Sequence, residues 1–221
     1  MNKTTKLLFL FFWMLTAAEL LLIYFQQTQL RWFTKPLLIP LLAVAFYTGS
    51  TVRKGNQFYF ILFALLSSWL GDILLMMKNM FIPGLVSFLT AHIFYIAYFI
   101  KTKPGKKGLL QFQSLIGLPV LIYISIFLWQ LYPFLDTLKI PVTVYAVTIG
   151  IMLLLAINTK RKVKDDAAVL FFNGALQFVI SDSLLAVNLF AVNSLVLSLC
   201  VMLTYCSAQY LIIRGSLINQ E

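Results

Sequence analysis

The sequence predicts an all-α fold, a polytopic bundle of eight transmembrane helices. Three observations support this fold class. Hydrophobic residues make up 61% of the 221 residues and charged residues only 11%, against about 25% charged residues in a typical soluble domain. The mean hydropathy of the chain is +0.92. Eight apolar runs follow one another along the chain, each close to the roughly 20 residues that span a bilayer.

The eight apolar runs account for most of the chain. Each run is too long for a strand, and eight spans together use about 160 residues. We therefore expect one integral membrane domain over residues 1–221, which excludes a soluble enzyme and a nucleic-acid-binding domain. The runs lie at about 7–25, 37–52, 58–77, 81–100, 109–131, 140–158, 167–190 and 194–213.

The first run has the basic flank of a signal peptide. It is longer than the apolar part of a typical signal peptide, and it contains Glu19. We therefore expect it to be retained as the first helix.

The Lys and Arg residues are distributed unevenly over the predicted loops. If the helices alternate in direction, 13 of the 17 basic residues lie on one side of the membrane and four on the other. Basic residues collect on the cytoplasmic side, so we expect both termini in the cytoplasm. We also expect the protein to lie in a bacterial inner membrane. The net charge of +10 then reflects topology rather than a nucleic-acid partner. The four exceptions are Arg31, Lys35, Lys78 and Lys139.

A faint internal repeat relates the two halves of the chain. Residues 71–75 read Gly-Asp-Ile-Leu-Leu, and residues 181–185 read Ser-Asp-Ser-Leu-Leu, at an offset of 110. The same offset places Tyr95 over Tyr205. Four helices in each half would make the two repeats parallel, related by an axis along the membrane normal.

Four ionisable side chains lie inside predicted helices: Glu19, Asp72, His92 and Asp182. A charge at the middle of the membrane costs about 2.5–3.5 kcal/mol on insertion scales, so such residues face the bundle interior and are functional candidates. Their positions along the helices allow all four to share one layer. A structural role is the alternative, and we favour it for Glu19. Asp72 and Asp182 have no obvious intramembrane Lys or Arg to neutralise them, which favours a functional role.

Weaker polar signals surround these acids. Tyr95 lies one turn from the only histidine, Gln209 lies one turn after Tyr205, and Asn188 belongs to a polar stripe on the seventh helix. Lys35, at the predicted start of the second helix, precedes two prolines that free backbone carbonyl groups. Together these residues indicate a polar cavity inside an apolar bundle. Hydrogen bonds that merely join helices are the alternative explanation.

Two carboxyl groups in a low-dielectric cavity rarely both ionise, because desolvation and mutual repulsion oppose the second charge. A protonated acid beside a carboxylate is the arrangement used in acid–base hydrolysis. Zinc enzymes usually need several His or Cys ligands, and this chain has one His and two Cys. We therefore expect no metal and no cofactor; an all-carboxylate magnesium site is the remaining metal alternative.

Five segments, in order, resemble the YhhN-like family of integral membrane proteins, which includes the lysoplasmalogenases. They are residues 35–42 (KPLLIPLL), 71–76 (GDILLM), 88–95 (FLTAHIFY), 181–188 (SDSLLAVN) and 204–209 (TYCSAQ). The resemblance covers nearly the whole chain. It implies eight helices and a hydrolase that takes lysoplasmalogens from the bilayer. It further implies cleavage of their vinyl ether bond to a fatty aldehyde and glycerophospho-ethanolamine or glycerophosphocholine, with the two family acids at Asp72 and Asp182.

This chemistry suits the residues independently. A vinyl ether hydrolyses through protonation of its β carbon, formation of an oxocarbenium ion and addition of water, so one Asp can supply the proton and the other the negative charge. The residues alone leave open which Asp is which. His92, Tyr95 and Tyr205 can orient water or the glycerol hydroxyl group, and Lys35 can pair with the lipid phosphate.

Two other functions remain open at this point. Buried acids and a parallel repeat also suit a proton-coupled transporter of small molecules or lipids, for which the two prolines would mark a broken helix. A lipid-binding or scaffolding protein without turnover is the other alternative.

Overall fold

The computed structural model describes residues 2–220, so residues 1 and 221 at the ends of the predicted domain lie outside it. Over this range the protein forms eight α-helices, each lying in a segment long and apolar enough to cross a membrane, which confirms the predicted fold class. The helices are α1 (Lys3–Tyr24), α2 (Thr28–Gly49), α3 (Asn56–Met76), α4 (Phe81–Lys101), α5 (Leu118–Leu131), α6 (Lys139–Asn158), α7 (Asp165–Phe190) and α8 (Leu195–Gln220).

Helix α2 begins nine residues before the predicted start at 37. Its first turns, TQLRWFTK, are too polar to belong to an apolar run, but they pack against α1 and continue the helix. Lys35 therefore lies inside α2 rather than at its end. The helix is also continuous through Pro36 and Pro40, so the broken helix considered for a transporter is absent from α2.

A side chain of α3 compensates for the second proline of α2. Pro40 has no N–H group, so it cannot donate to the carbonyl of Pro36 four residues earlier. The indole Nε1 of Trp69 on α3 donates to that oxygen at 2.8 Å instead. This bond satisfies the free carbonyl and joins α2 to α3 at the residue directly after Lys35.

Helix α5 is shorter than its predicted span of 109–131. Residues 109–111 and 114–117 form two 3-10 turns, and the α-helix begins only at Leu118, directly before Pro119. Proline is favoured in the first turn of a helix. Helix α8, in contrast, extends seven residues past the predicted end, where Gln220 accepts a hydrogen bond from the backbone of Thr51.

The helices pack mainly as three antiparallel pairs, α1 with α2, α3 with α4 and α7 with α8. Helix α4 packs against α6, and α8 packs against α1 and α2, which closes the bundle; α5 lies at its edge against α6. Two glycines allow close approach within the pairs. A Cβ atom at Gly71 would lie 2.6 Å from the ring of Phe88, and one at Gly174 would lie 2.7 Å from Ile212.

The connections divide between two ends of the bundle. The end that carries the long basic loops and the chain termini, which we call the basic end, is held together by hydrogen bonds between distant segments. The short connections 25–27, 77–80, 132–138 and 191–194 form the opposite end, which we call the turn end. The bonds at the basic end join Asn2 to Thr48, Thr51 to Gln220, Gln57 to Lys101 and Leu109 to Lys160.

Candidate active site

A cavity of about 330 Å³ lies in the half of the bundle nearer the turn end. Helices α2, α3, α4, α6, α7 and α8 all contribute to its lining, which is mostly apolar. Its exposed lining residues, Met77, Asn79 and Leu189, lie at the turn end, so the cavity opens there. Its main polar side chains are Lys35, Asp72, Tyr145, Asp182 and Tyr205.

The two predicted acids line this one cavity, although 110 residues separate them in the sequence. Asp72 lies in α3, six residues past the middle of the helix, and Asp182 lies at a similar depth in α7. Because both helices run from the basic end to the turn end, this depth brings the two carboxyl groups to the same level of the bundle.

Asp72 is 3% exposed and has two partners. The hydroxyl group of Tyr205 on α8 donates a hydrogen bond to Oδ2 at 2.6 Å. The ammonium group of Lys35 on α2 lies 3.3 Å from Oδ1. The expectation that no intramembrane cation neutralises Asp72 is therefore wrong, because it placed Lys35 at a helix end rather than within α2.

Asp182 has a different environment. The hydroxyl group of Tyr145 on α6 donates a hydrogen bond to Oδ2 at 2.6 Å. Nε2 of His92 on α4 lies 3.8 Å from the same oxygen, beyond hydrogen-bond distance. The imidazole ring packs edge-on against the rings of Tyr145 and Phe178, and these contacts fix its orientation.

Tyr145 is the residue of the site that the sequence analysis missed. The internal repeat could have identified it, because Tyr145 stands 110 positions after Lys35, the same offset that separates Asp182 from Asp72. Each half of the chain thus supplies one acid and, from the helix before it, one partner of that acid. The partner is a cation in the first half and a phenol in the second.

A chain of buried side chains extends from Asp72 toward the basic end. Gln209 donates through Nε2 to the hydroxyl oxygen of Tyr205 at 3.4 Å, and the hydroxyl group of Tyr95 donates to Oε1 of Gln209 at 2.6 Å. Tyr95 and Gln209 do not line the cavity. They orient the phenol that contacts Asp72, so α4 and α8 position the carboxylate of α3.

Two further predicted site residues lie away from the cavity. Glu19 is fully buried between α1 and α2, where Arg31 donates to Oε1 at 2.8 Å and Thr34 donates to Oε2. Asn188 accepts a hydrogen bond from the backbone N–H of Ser194 at 2.8 Å and so closes the turn between α7 and α8. Both contacts are local to a helix pair, and neither side chain lines the cavity.

The described residues contain no group of three or more His, Cys, Asp or Glu side chains placed to hold a metal ion. The polar atoms of the site are instead two carboxyl groups, two phenols, one ammonium group and one imidazole. In chemical terms this set can hold and transfer protons, stabilise a positive charge and bind an anionic group.

Comparison with known proteins supports the resemblance seen in the sequence motifs. The YhhN family matches residues 30–216. The lysoplasmalogenase TMEM86B of Sus scrofa is 32% identical over 198 residues, which cover 89% of this chain and 81% of the relative. The protein of the same name from Homo sapiens is 30% identical over 196 residues, which cover 88% of this chain and 80% of the relative. No solved structure matches the chain. The family match spans the helices that carry both acids, and the chain therefore belongs to the YhhN family.

Proposed function

We propose that the protein is a membrane-embedded hydrolase that cleaves the vinyl ether bond of lysoplasmalogens with Asp72 and Asp182. The products would be a fatty aldehyde and glycerophospho-ethanolamine or glycerophosphocholine. The observation that carries the proposal is the pair of carboxyl groups with unlike partners in one mostly apolar cavity. The names of the two relatives, both lysoplasmalogenases, support the choice of substrate.

The difficult step of the reaction is protonation of carbon. A proton must be added to the β carbon of the vinyl ether, which leaves an oxocarbenium ion at the α carbon. Water then adds to the α carbon, and the hemiacetal collapses by breaking the bond to the glycerol oxygen, which takes up a proton. One water is consumed, and the enzyme must supply a proton donor, a nearby negative charge and a base for water.

The unlike partners of the two acids support a division of these tasks between them. Lys35 places a positive charge beside Asp72 and Tyr205 donates to it, and both contacts favour the ionised carboxylate. Within residues 2–220, Asp182 forms no ion pair with Lys or Arg. We therefore assign the proton donor to Asp182 and the carboxylate to Asp72.

The hydrogen bond to Asp182 is compatible with this role. Tyr145 donates to Oδ2, and Oδ1 is free to carry the acidic proton. Asp72 then stabilises the oxocarbenium ion and accepts a proton from the attacking water. When the hemiacetal collapses, the proton on Asp72 passes to the glycerol oxygen and the hydroxyl proton of the hemiacetal returns to Asp182, which restores both acids. This division between a protonated and an ionised carboxyl group parallels that of glycoside hydrolases.

Lys35 has hydrogen-bond donors that Asp72 does not use. Its ammonium group has three N–H bonds, and Asp72 engages one side of it. In our proposal the remaining N–H groups donate to a phosphate oxygen of the substrate, which the ammonium group binds as a point charge. One lysine would thus hold Asp72 ionised and bind the lipid headgroup.

The direction in which the cavity opens bears on the membrane leaflet. Four of the 17 basic residues lie in the connections of the turn end or in the helix segments nearest to it, and the uneven charge distribution predicts that this end is outside. We therefore propose that both termini are cytoplasmic and that the substrate enters from the outer leaflet, past Met77, Asn79 and Leu189.

The decisive test is release of fatty aldehyde by purified protein in detergent. A lysoplasmalogen, the matching saturated alkyl-ether lysolipid and the matching ester lysolipid would each be supplied to the wild type, Asp72→Asn and Asp182→Asn. We expect aldehyde from the vinyl ether alone, with kcat reduced about 10²–10⁴-fold in both variants. Asp136→Asn, at an exposed acid in the connection between α5 and α6, is the matched control.

Two outcomes would overturn the proposal. Absence of aldehyde with well-folded wild type would contradict the substrate, and activity retained in either Asn variant would contradict the acid pair. Uptake of a solute or lipid into proteoliposomes that depends on a proton gradient, without aldehyde release, would instead favour the transporter.

A further inference from the structure

A second cavity lies apart from the candidate active site, on the side of the bundle that faces the lipid. It is an apolar groove of about 590 Å³ between α5, α6 and α7. Its lining is almost entirely hydrocarbon, with Val120 from α5, Leu153 and Ile157 from α6, and Phe172 and Leu176 from α7. None of its lining residues lines the cavity of Asp72 and Asp182.

The groove exists because α5 begins late. The chain arrives from α4 as two 3-10 turns over residues 109–117, and only from Leu118 does a helix stand beside α6. Near the basic end, α6 and α7 therefore lack the full third helix that would cover their shared face.

The length of the groove matches one leaflet of a bilayer. Along α7 it extends from Ala168 to Ile180, which is about 18 Å at 1.5 Å per residue. Half of the hydrocarbon core is about 15 Å. An extended acyl chain lying along α7 would thus reach from the basic end to the middle of the membrane.

The end of the groove nearest the basic loops is charged. Lys160 lines the groove there, and its backbone carbonyl accepts a hydrogen bond from Leu109, which brings the lysine-rich loop 101–108 beside it. The ion pair of Lys160 with Asp165 at 2.9 Å is half exposed. Such surface pairs contribute at most about 1 kcal/mol, so an anionic headgroup can compete with Asp165 for the lysine. Eight basic and two acidic residues occupy positions 101–108 and 160–166.

We propose that this groove binds an anionic glycerophospholipid. One acyl chain lies against α6 and α7, and the phosphate group lies at Lys160, within the excess of positive charge. A zwitterionic lipid of the same chains would fit the apolar part equally well but would gain less from the charged end. The proposal is independent of the catalytic function.

Native mass spectrometry of the full-length protein, released from detergent micelles, tests the proposal. Phosphatidylglycerol and phosphatidylcholine with identical acyl chains would be added separately. Three variants would be compared with the wild type: Lys160→Gln at the charged end, Val169→Trp to fill the groove, and Lys54→Gln as the matched control. Lys54 is an exposed cation on another basic loop, and Val169 is half exposed, so none of the changes disturbs the core.

The expected result is preferential retention of phosphatidylglycerol by the wild type. Lys160→Gln should weaken that binding about fivefold, the effect of one basic residue near an anionic headgroup. Val169→Trp should reduce it as well, and Lys54→Gln should leave it unchanged. Equal retention of the two lipids by the wild type, an equal effect of Lys54→Gln, or no effect of Val169→Trp would each overturn the proposal.

Discussion

Lys35 of α2 and Tyr145 of α6 occupy corresponding positions in the two halves of the bundle, 110 residues apart, and each contacts the acid of its own half. The ammonium group lies 3.3 Å from Asp72, and the phenol donates to Asp182 at 2.6 Å. This correspondence supports the predicted internal repeat. The two positions differ in chemistry, since a fixed charge in one half corresponds to a neutral donor in the other.

Replacement of Lys35 should separate its two proposed roles. Lys35→Met leaves Asp72 buried without a cation, so we expect kcat to fall about 10²-fold and the free energy of unfolding to fall by about 3–5 kcal/mol. The double variant Lys35→Met/Asp72→Asn should regain stability but no activity.

Lys78→Met, at an exposed cation in the turn between α3 and α4, is the control for the Lys35 variants. A Lys35→Met protein with unchanged kcat and only a raised KM would limit Lys35 to headgroup binding. Aldehyde release and thermal unfolding in detergent provide both readouts.

Removal of the Tyr145 hydroxyl group should impair the proton donor with little effect on folding. Tyr145→Phe keeps the ring that packs on His92 but loses the hydrogen bond to Asp182. We expect kcat to fall about 10–100-fold and stability to change by about 1 kcal/mol. Tyr59→Phe, at an exposed phenol of α3, should match the wild type in both measurements. Equal kcat values for the two variants would argue against a role of Tyr145 in the reaction.

Glu19 should matter for stability rather than for turnover. Its carboxylate is buried and bonded to Arg31 and Thr34, away from the cavity. Arg31 is partly exposed, so we expect Glu19→Gln to lower the free energy of unfolding by about 1–2 kcal/mol, with kcat unchanged in the folded fraction. Differential scanning fluorimetry and aldehyde assays on the same sample check this. A loss of kcat without a loss of stability would return Glu19 to the list of catalytic candidates.

The orientation in the membrane can be measured with single cysteines. We expect Asn193→Cys, in the turn between α7 and α8, to react with a membrane-impermeant maleimide in intact cells. Lys106→Cys, in the basic loop after α4, should react only after lysis. The wild type, whose Cys200 and Cys206 lie in α8, gives the background. The reverse pattern would place the cavity mouth on the cytoplasmic side and the proposed outer-leaflet entry would be wrong.

The sequence by itself determined the fold class and the two acids. Eight apolar runs of spanning length leave the chain few alternatives to a helical bundle, because unpaired backbone groups are too costly in lipid. A carboxyl group in such a run is costly in lipid as well, so the sequence alone marks Asp72 and Asp182 as functional candidates. The helix boundaries were less accurate wherever a polar first turn or a 3-10 segment continued an apolar run, as at the start of α2 and before α5.

Only the tertiary structure decided which polar side chains meet. The sequence places Tyr145 at the same 110-residue offset from Lys35 that separates the two acids, but it does not show which acid either residue contacts. Lys35 stands at the predicted start of the second helix, and only the structure places it inside α2, which begins at Thr28. Glu19 shares the depth of the catalytic candidates but points at Arg31, because α1 packs on α2 and not on the cavity. The apolar runs locate the helices and so give the approximate depth of each residue in the membrane. Which side chains it contacts depends on how the helices rotate and pair. Rotation and pairing are set by close packing between residues that are distant in sequence.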